Sequence, residues 1–350
     1  MKKVSPVTLV LSLVAVGLLA QPSALPAQSV ELTGAGSTFV TPVMSRWAAD
    51  FKNAHPGTAI NYQSVGSGAG IQQVKNNTVD FGASDAALSD QQLQQMPVAV
   101  IQVPESAGPV CITYNLSISR PLRLTPDALA GIYLGTITKW NDPRIAQANP
   151  GVQLPNQAVL VAHRSEGSGT TSIFTTYLSA VSGEWKSKVG SGVSVNWPVG
   201  LGGKGSEGVT GLVKQSPGSI GYVELTYANE NHLPVALMRN ASGLYVAPSA
   251  AGTSAAIAAF KTQLARDVRT PIVNASGPQA YPIAGLTYLI LPKDGTDAAK
   301  RRALKEFVDY VLTRGQASAT ALNYAPLPAS IQQLDEKLVA AMTLNGQPLK

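Results

Sequence analysis

Val-Ala-His-Arg-Ser-Glu-Gly-Ser-Gly-Thr-Thr-Ser-Ile-Phe-Thr-Thr-Tyr-Leu, residues 161 to 178, is the stretch whose reading decides the fold. An apolar run over 158–162 leads into a polar, Gly-rich turn, beyond which Ile173, Phe174, Tyr177 and Leu178 recur at helical spacing. The pattern predicts strand, turn and helix. Arg164, Ser168, Gly169 and Thr170 fall in the turn, so a cation, two hydroxyls and the free N–H groups of a new helix meet at one point. Free N–H groups with the positive end of the helix dipole behind them form an anion site. Plain capping accounts for the same residues, with Ser168 satisfying its own backbone and Arg164 pairing with Glu166.

The arrangement occurs twice. Residues 58–64 carry Ile60 and Tyr62 on one face of a strand, Gly66-Ser67-Gly68-Ala69-Gly70 follows, and Ile71 and Val74 begin a helix. Gly-Ser-Gly at 66–68 and again at 167–169 suggests two related sites. Upstream, Glu31 to Phe39 is a short run closed by a Gly turn. Pro42 then fits a first helical turn with Thr41 as its cap, and Val43, Trp47 and Phe51 recur every fourth residue. Ser37 and Thr38 read equally as caps or as ligand contacts. Residues 79–85, Val-Asp-Phe-Gly-Ala-Ser-Asp, form a short strand that ends in a carboxylate. Asp85 is a plain turn residue or a site residue, because open α/β sheets bind ligands at the C-terminal ends of their strands.

Further along, 112–116 and 220–224 read as strands, as does the apolar run 287–291. Helices are predicted over 125–134, 250–267, 298–314 and in the C-terminal stretch. Residues 200–208 are Gly-rich around Lys204. They fail as a phosphate-cradling P-loop, since Gly205 follows the lysine and Pro198 stands where the first glycine belongs. Gly205 to Gly208 are read as a polar turn before a helix over 209–215. Strands and helices alternate throughout, which argues for α/β domains with helices on both sheet faces.

With 350 residues, 13% charged and 45% hydrophobic, the chain has room for two globular domains. Lys2 and Lys3, an apolar run over 7–20 and a Pro- and Ala-rich stretch to Ala27 have the order of a secretory signal, with cleavage expected after Ala27 and a soluble periplasmic product. No cysteine stands at its end, so no lipid anchor is expected, and the single cysteine, Cys111, cannot form an internal disulfide. The formal charge of +6 falls to about +4 without Lys2 and Lys3. The basic residues are scattered, with no aromatic-interleaved stripe, so nucleic-acid binding is not expected.

Five blocks carry a resemblance to a known family: Leu-Thr-Gly-Ala-Gly-Ser-Thr-Phe (32–39), Asn-Tyr-Gln-Ser-Val-Gly-Ser-Gly (61–68), Val-Asp-Phe-Gly-Ala-Ser-Asp (79–85), Arg-Ser-Glu-Gly-Ser-Gly-Thr (164–170) and Trp-Pro-Val-Gly-Leu-Gly-Gly-Lys-Gly (197–205). In this order the chain resembles the phosphate-binding component of bacterial high-affinity phosphate ABC transporters. The resemblance implies a two-lobed periplasmic-binding-protein fold of type II, α/β, with two mixed sheets flanked by helices and a hinge of two crossing segments. Lobe 1 is expected at 29–112 plus 286–350, lobe 2 at 113–285, and 1–27 is the signal peptide. It further implies inorganic phosphate as ligand, the permease of an ABC transporter as partner, and neither catalysis nor a metal or cofactor. The implied contacts are Thr38, Phe39 through its N–H, Ser67, Asp85, Arg164, Ser168, Gly169 and Thr170, with Glu166 in support where the family often has the shorter Asp.

Two other readings use the same residues. A hydrolase would take Ser168 as nucleophile and His163 as base, but a nucleophile elbow needs glycine two residues to either side, where Glu166 and Thr170 stand. A binding protein for sulfate or molybdate would have no use for Asp85, since a fully ionised oxyanion offers a carboxylate no proton.

Overall fold

The structure is a computed structural model and describes residues 1–3 and 29–349; the expected signal segment lies largely outside the described residues. Eight strands form one strongly curled sheet. In chain order they are β1 (Val30–Gly36), β2 (Thr58–Ser64), β3 (Phe81–Ser84), β4 (Val100–Tyr114), β5 (Leu160–Arg164), β6 (Leu201–Gly203), β7 (Ser219–Glu224) and β8 (Ala284–Pro292). Their spatial order is β2-β1-β3-β8-β4-β7-β5-β6.

The sheet is two mixed halves that share a strand. β1 runs parallel to β2 and β3, β8 is antiparallel to β3 and β4, and β5 is parallel to both β6 and β7. At about 3.3 Å per residue, the 15 residues of β4 span roughly 50 Å, enough to serve both halves. β4 pairs with β8 through Pro109 and with β7 from Val110 onward. The chain crosses back at Ile283, whose carbonyl accepts from Val110 N at 2.8 Å. These two adjacent crossings are the connections that a hinge requires.

The helices that matter for the site are α1 (Thr41–Ala54), α2 (Ser67–Lys75), α3 (Gly169–Val181), α4 (Gly205–Gln215) and α5 (Ala298–Leu312). α1 buries Val43, Met44, Trp47 and Phe51, and Phe51 meets Phe307 of α5 edge-on, with centroids 5.3 Å apart. In the other half Phe174 of α3 stacks on Tyr222 of β7 at 4.4 Å, with Tyr133 edge-on to it at 4.7 Å. Each half therefore has its own aromatic core, which suits two bodies that move as units. Cys111 is buried.

Four local expectations change; the helix expected over 250–267 breaks at Phe260 into Ala250–Ala259 and Lys261–Leu264. Thr41 is not the cap of α1: Val40 is, and the Thr41 hydroxyl instead donates to Ser64 Oγ at 2.7 Å. Gly205 to Gly208 are the first turn of α4 rather than a loop before it. The strand expected over 112–116 ends at Tyr114 and begins twelve residues earlier, at Val100.

Candidate functional site

Four helix N-termini meet where the halves face each other. Thr38 and Phe39 precede α1, Ser67 opens α2, Ser168 caps α3 and Ser206 lies in the first turn of α4. Each brings N–H groups without an intrahelical partner and the positive end of a dipole to one region, which together favour an anion.

The two Gly-Ser-Gly turns form the seam. Gly68 N donates to Gly167 O at 3.0 Å, and Gly169 N donates to Ser67 Oγ at 3.1 Å. Asp85 N donates to the same oxygen at 3.3 Å. The glycines allow this approach. A Cβ on Gly169 would lie 2.6 Å from both Asp85 N and Ser67 Oγ. Gly66, just before α2, has φ of 90°, a conformation in which a side chain is strained. A third cross-seam contact joins Thr38 to α4, where Ser206 N donates to Thr38 Oγ1 at 3.2 Å and the two hydroxyls lie 2.9 Å apart.

Arg164 is the cation of the site and is almost wholly buried. It lies at the end of β5, where Tyr222 OH accepts from its N–H at 3.2 Å. Its Nε and Nη2 both donate to Glu166 Oε1, the former at 2.8 Å, and its Nη1 points at Thr170 Oγ1, 3.3 Å away. The expected Arg164–Glu166 pair therefore exists through one carboxylate oxygen, which also accepts from Gly205 N at 3.2 Å, while Glu166 Oε2 is buried without a partner. Ser168 is the cap of α3, its Oγ accepting from Thr171 N at 3.1 Å. Its hydroxyl proton is uncommitted by that bond, so capping and ligand contact are compatible.

Asp85 is the opposing charge. Its carboxylate accepts from Ser37 Oγ and, at 3.4 Å, from Thr170 Oγ1 across the seam. Burial pushes its carboxyl up to about 6, opposed by the Ser37 hydroxyl and the Arg164 charge. At neutral pH it is mostly an acceptor set beside a cation. The Phe39 N–H, expected to face a ligand, donates to Ser37 Oγ at 3.0 Å.

The structure thus gathers Thr38, Phe39, Ser67, Asp85, Arg164, Ser168, Gly169 and Thr170 at one seam, with Glu166 behind Arg164. Sequence reasoning missed three groups there. Ser37 was read as a cap or contact but holds Asp85, 48 residues on. Ser206 lies in glycines read as a turn. Tyr227, never singled out, places its OH 2.6 Å from Thr38 O and 3.0 Å from Glu207 Oε1. The hydrolase constellation does not assemble: strand alternation turns His163 away from Arg164, and its ring stacks on Trp197 with centroids 4.8 Å apart.

Two α/β halves joined by adjacent crossings, with helix N-termini converging between them on a cation and a carboxylate, define a venus-flytrap binding protein. The model described as PBP superfamily domain matches residues 21–314. The Phosphate-binding protein PstS of Xylella fastidiosa (strain Temecula1) is 46% identical over 312 residues, which cover 89% of this chain and 85% of that protein. The protein of the same description from Pasteurella multocida (strain Pm70) is 41% identical over 312 residues, covering 89% and 90%. A high affinity periplasmic phosphate-binding protein (PfluDING), solved bound with phosphate at pH 8.5, has a TM-score of 0.68 and 25% identity over 88% of this chain and 93% of that one. The chain belongs to the PstS family of phosphate-binding proteins, within the PBP superfamily. Among the described residues no helix is long and apolar enough to cross a membrane.

Proposed function

We propose that this chain binds inorganic phosphate between its two lobes and hands it to the permease of an ABC transporter for import. The observation that carries the reading is the meeting of the two Gly-Ser-Gly turns around Arg164 and Asp85. Thr38, the Phe39 N–H, Ser67, Asp85, Arg164, Ser168, Gly169 and Thr170 are the proposed contacts. Arg164 supplies the charge, the hydroxyls and helix-start N–H groups donate to ligand oxygens, and Asp85 accepts the proton that phosphate retains near neutral pH. Phe39 N would exchange Ser37 Oγ for a ligand oxygen. Lobe 1 is assigned to 29–112 plus 286–350 and lobe 2 to 113–285, so every cross-seam bond above would break on opening.

The protein is a carrier with no catalytic step assigned to any residue. It is exported, with cleavage after Ala27, and an intact mass lacking residues 1–27 is expected for protein recovered from the periplasm. Isothermal titration with phosphate and with sulfate tests the reading: phosphate binds and sulfate does not compete. Equal binding of the two, or binding of neither, overturns it.

A further inference from the structure

A second carboxyl lies buried behind the site. Glu105 is wholly inaccessible, in the middle of the crossing strand β4. The β4–β8 register slips there: Thr287 pairs with Ser106 and Tyr288 with Pro104, so Glu105 is the extra residue of a bulge. Bulges re-aim side chains, and this one brings Glu105 Oε1 to 3.0 Å from Thr287 Oγ1 and leaves Oε2 buried without a partner. Thr287 also stands one step beyond the Tyr288–Ser84 pair of β8 with β3, which places it opposite Asp85, while its hydroxyl bonds to Glu105.

A threonine hydroxyl has one hydrogen and cannot donate to two carboxylates at once. Two ionised carboxylates compete for that hydrogen, and protonation of one frees it for the other. Asp85 has Arg164, Ser37 and Thr170 to stabilise its charge. Among the described residues no cation acts on Glu105. The one ionisable group among them that acts on it is Asp85, which disfavours another negative charge, and Gln316 from the helix Gly315–Ala321 binds its backbone oxygen rather than its carboxyl. We propose that Glu105 is a positioning residue for phosphate recognition: as the neutral acid it donates to Thr287 Oγ1, and the Thr287 hydroxyl in turn donates to Asp85, fixing Asp85 as the ionised acceptor for the ligand's proton. The inference rests on the phosphate reading above.

Burial holds the Glu105 carboxyl up at about 8. Above that pH the proton leaves to solvent and Thr287 turns its hydrogen to Glu105. Asp85 then loses a donor and gains a like charge nearby, so phosphate binding weakens. The test is phosphate Kd for wild type, Glu105→Gln and Thr287→Val from pH 6 to 9.5, with each variant's Kd expressed relative to wild type at the same pH. That ratio cancels the titration of phosphate itself. Gln keeps a neutral donor at every pH, so Glu105→Gln should bind within about twofold of wild type at pH 6 and about tenfold tighter than wild type at pH 9.5, one unit of coupled pKa being tenfold. A ratio constant across the range overturns the proposal. Thr287→Val breaks the relay without altering Glu105 and should bind about tenfold more weakly than wild type at pH 6. A Thr287→Val protein that matches wild type at every pH overturns the proposal independently, even should Glu105→Gln fail to fold. Wild type that binds no phosphate at pH 6 overturns the binding reading itself, a result distinct from either ratio.

Discussion

Gly169→Ala isolates closure of the lobes from their folding. Gly169 is the first residue of α3, where alanine is locally favourable by up to about 1 kcal/mol. The three atoms nearest the added Cβ all belong to Ser67 and Asp85. Across the seam it meets Asp85 N and Ser67 Oγ at 2.6 Å and Asp85 Cβ at 2.7 Å, all on atoms held by backbone or hydrogen bonds. Ordinary carbon contacts begin near 3.5 Å, so the seam has to open by roughly 1 Å. That displacement breaks or stretches the bonds from Gly169 N to Ser67 Oγ (3.1 Å) and from Gly68 N to Gly167 O (3.0 Å), each contributing about 1 kcal/mol. It also pulls Asp85 from Thr170 and from the ligand. With about 1–3 kcal/mol for overpacking, phosphate affinity should fall by about 3–5 kcal/mol, or roughly 10²- to 10⁴-fold. Calorimetric titration measures the loss, and small-angle scattering should show the variant failing to compact at saturating phosphate. The unfolding temperature without phosphate should be unchanged or slightly higher. Phosphate binding within threefold of wild type, with normal compaction, would refute a seam at which Gly169 faces Asp85.

Arg164→Ala removes the proposed cation of the site and leaves Glu166 without its partner, so affinity should drop by at least about 10³-fold. Arg164→Lys keeps the charge but cannot reach Glu166 and Thr170 together, and titration should place it between wild type and Ala. The pH dependence of stability has a definite sign. Glu105, Glu224 and Asp335 are held up at about 8 and Asp85 at about 6 by burial, so between their unfolded values and these the folded state binds more protons than the unfolded one. Stability without phosphate should therefore fall as pH rises from about 4.5 to 8. A melting temperature higher at pH 9 than at pH 5 would contradict that assignment.

What could be read in the residues was local. The strand, turn and helix around Arg164 are legible because apolar periodicity changes at a Gly-rich break, and the capping Ser168 sits where its chemistry requires. α4 was half hidden, since Gly205 and Gly208 read as loop although Ser206 and Val209 already face the core. The first half of β4 was illegible: it is buried on both faces, so no alternation marks it, and Pro104, Gly108 and Pro109 look like breaks. Pairings distant in sequence left no trace. Ser37 with Asp85 and Thr287 with Glu105 depend on strand register, and Glu105 becomes visible only through a bulge.

The central claim is that Asp85 reads the proton on the ligand, and Asp85→Asn tests it most directly. Phosphate near neutral pH keeps a donor O–H and sulfate has none, so wild type gains a charge-assisted bond with the first and faces an unpaired, repelling acceptor with the second. A site built around a ligand hydroxyl can reject an analogue lacking it by roughly 10⁴-fold. The asparagine amide can turn its NH₂ toward an unprotonated oxygen. Titration of phosphate and sulfate against both proteins should show strong preference in wild type, and in Asp85→Asn retained phosphate binding with the discrimination largely gone. A wild type that does not prefer phosphate, or an Asp85→Asn protein whose preference is undiminished, would contradict the account.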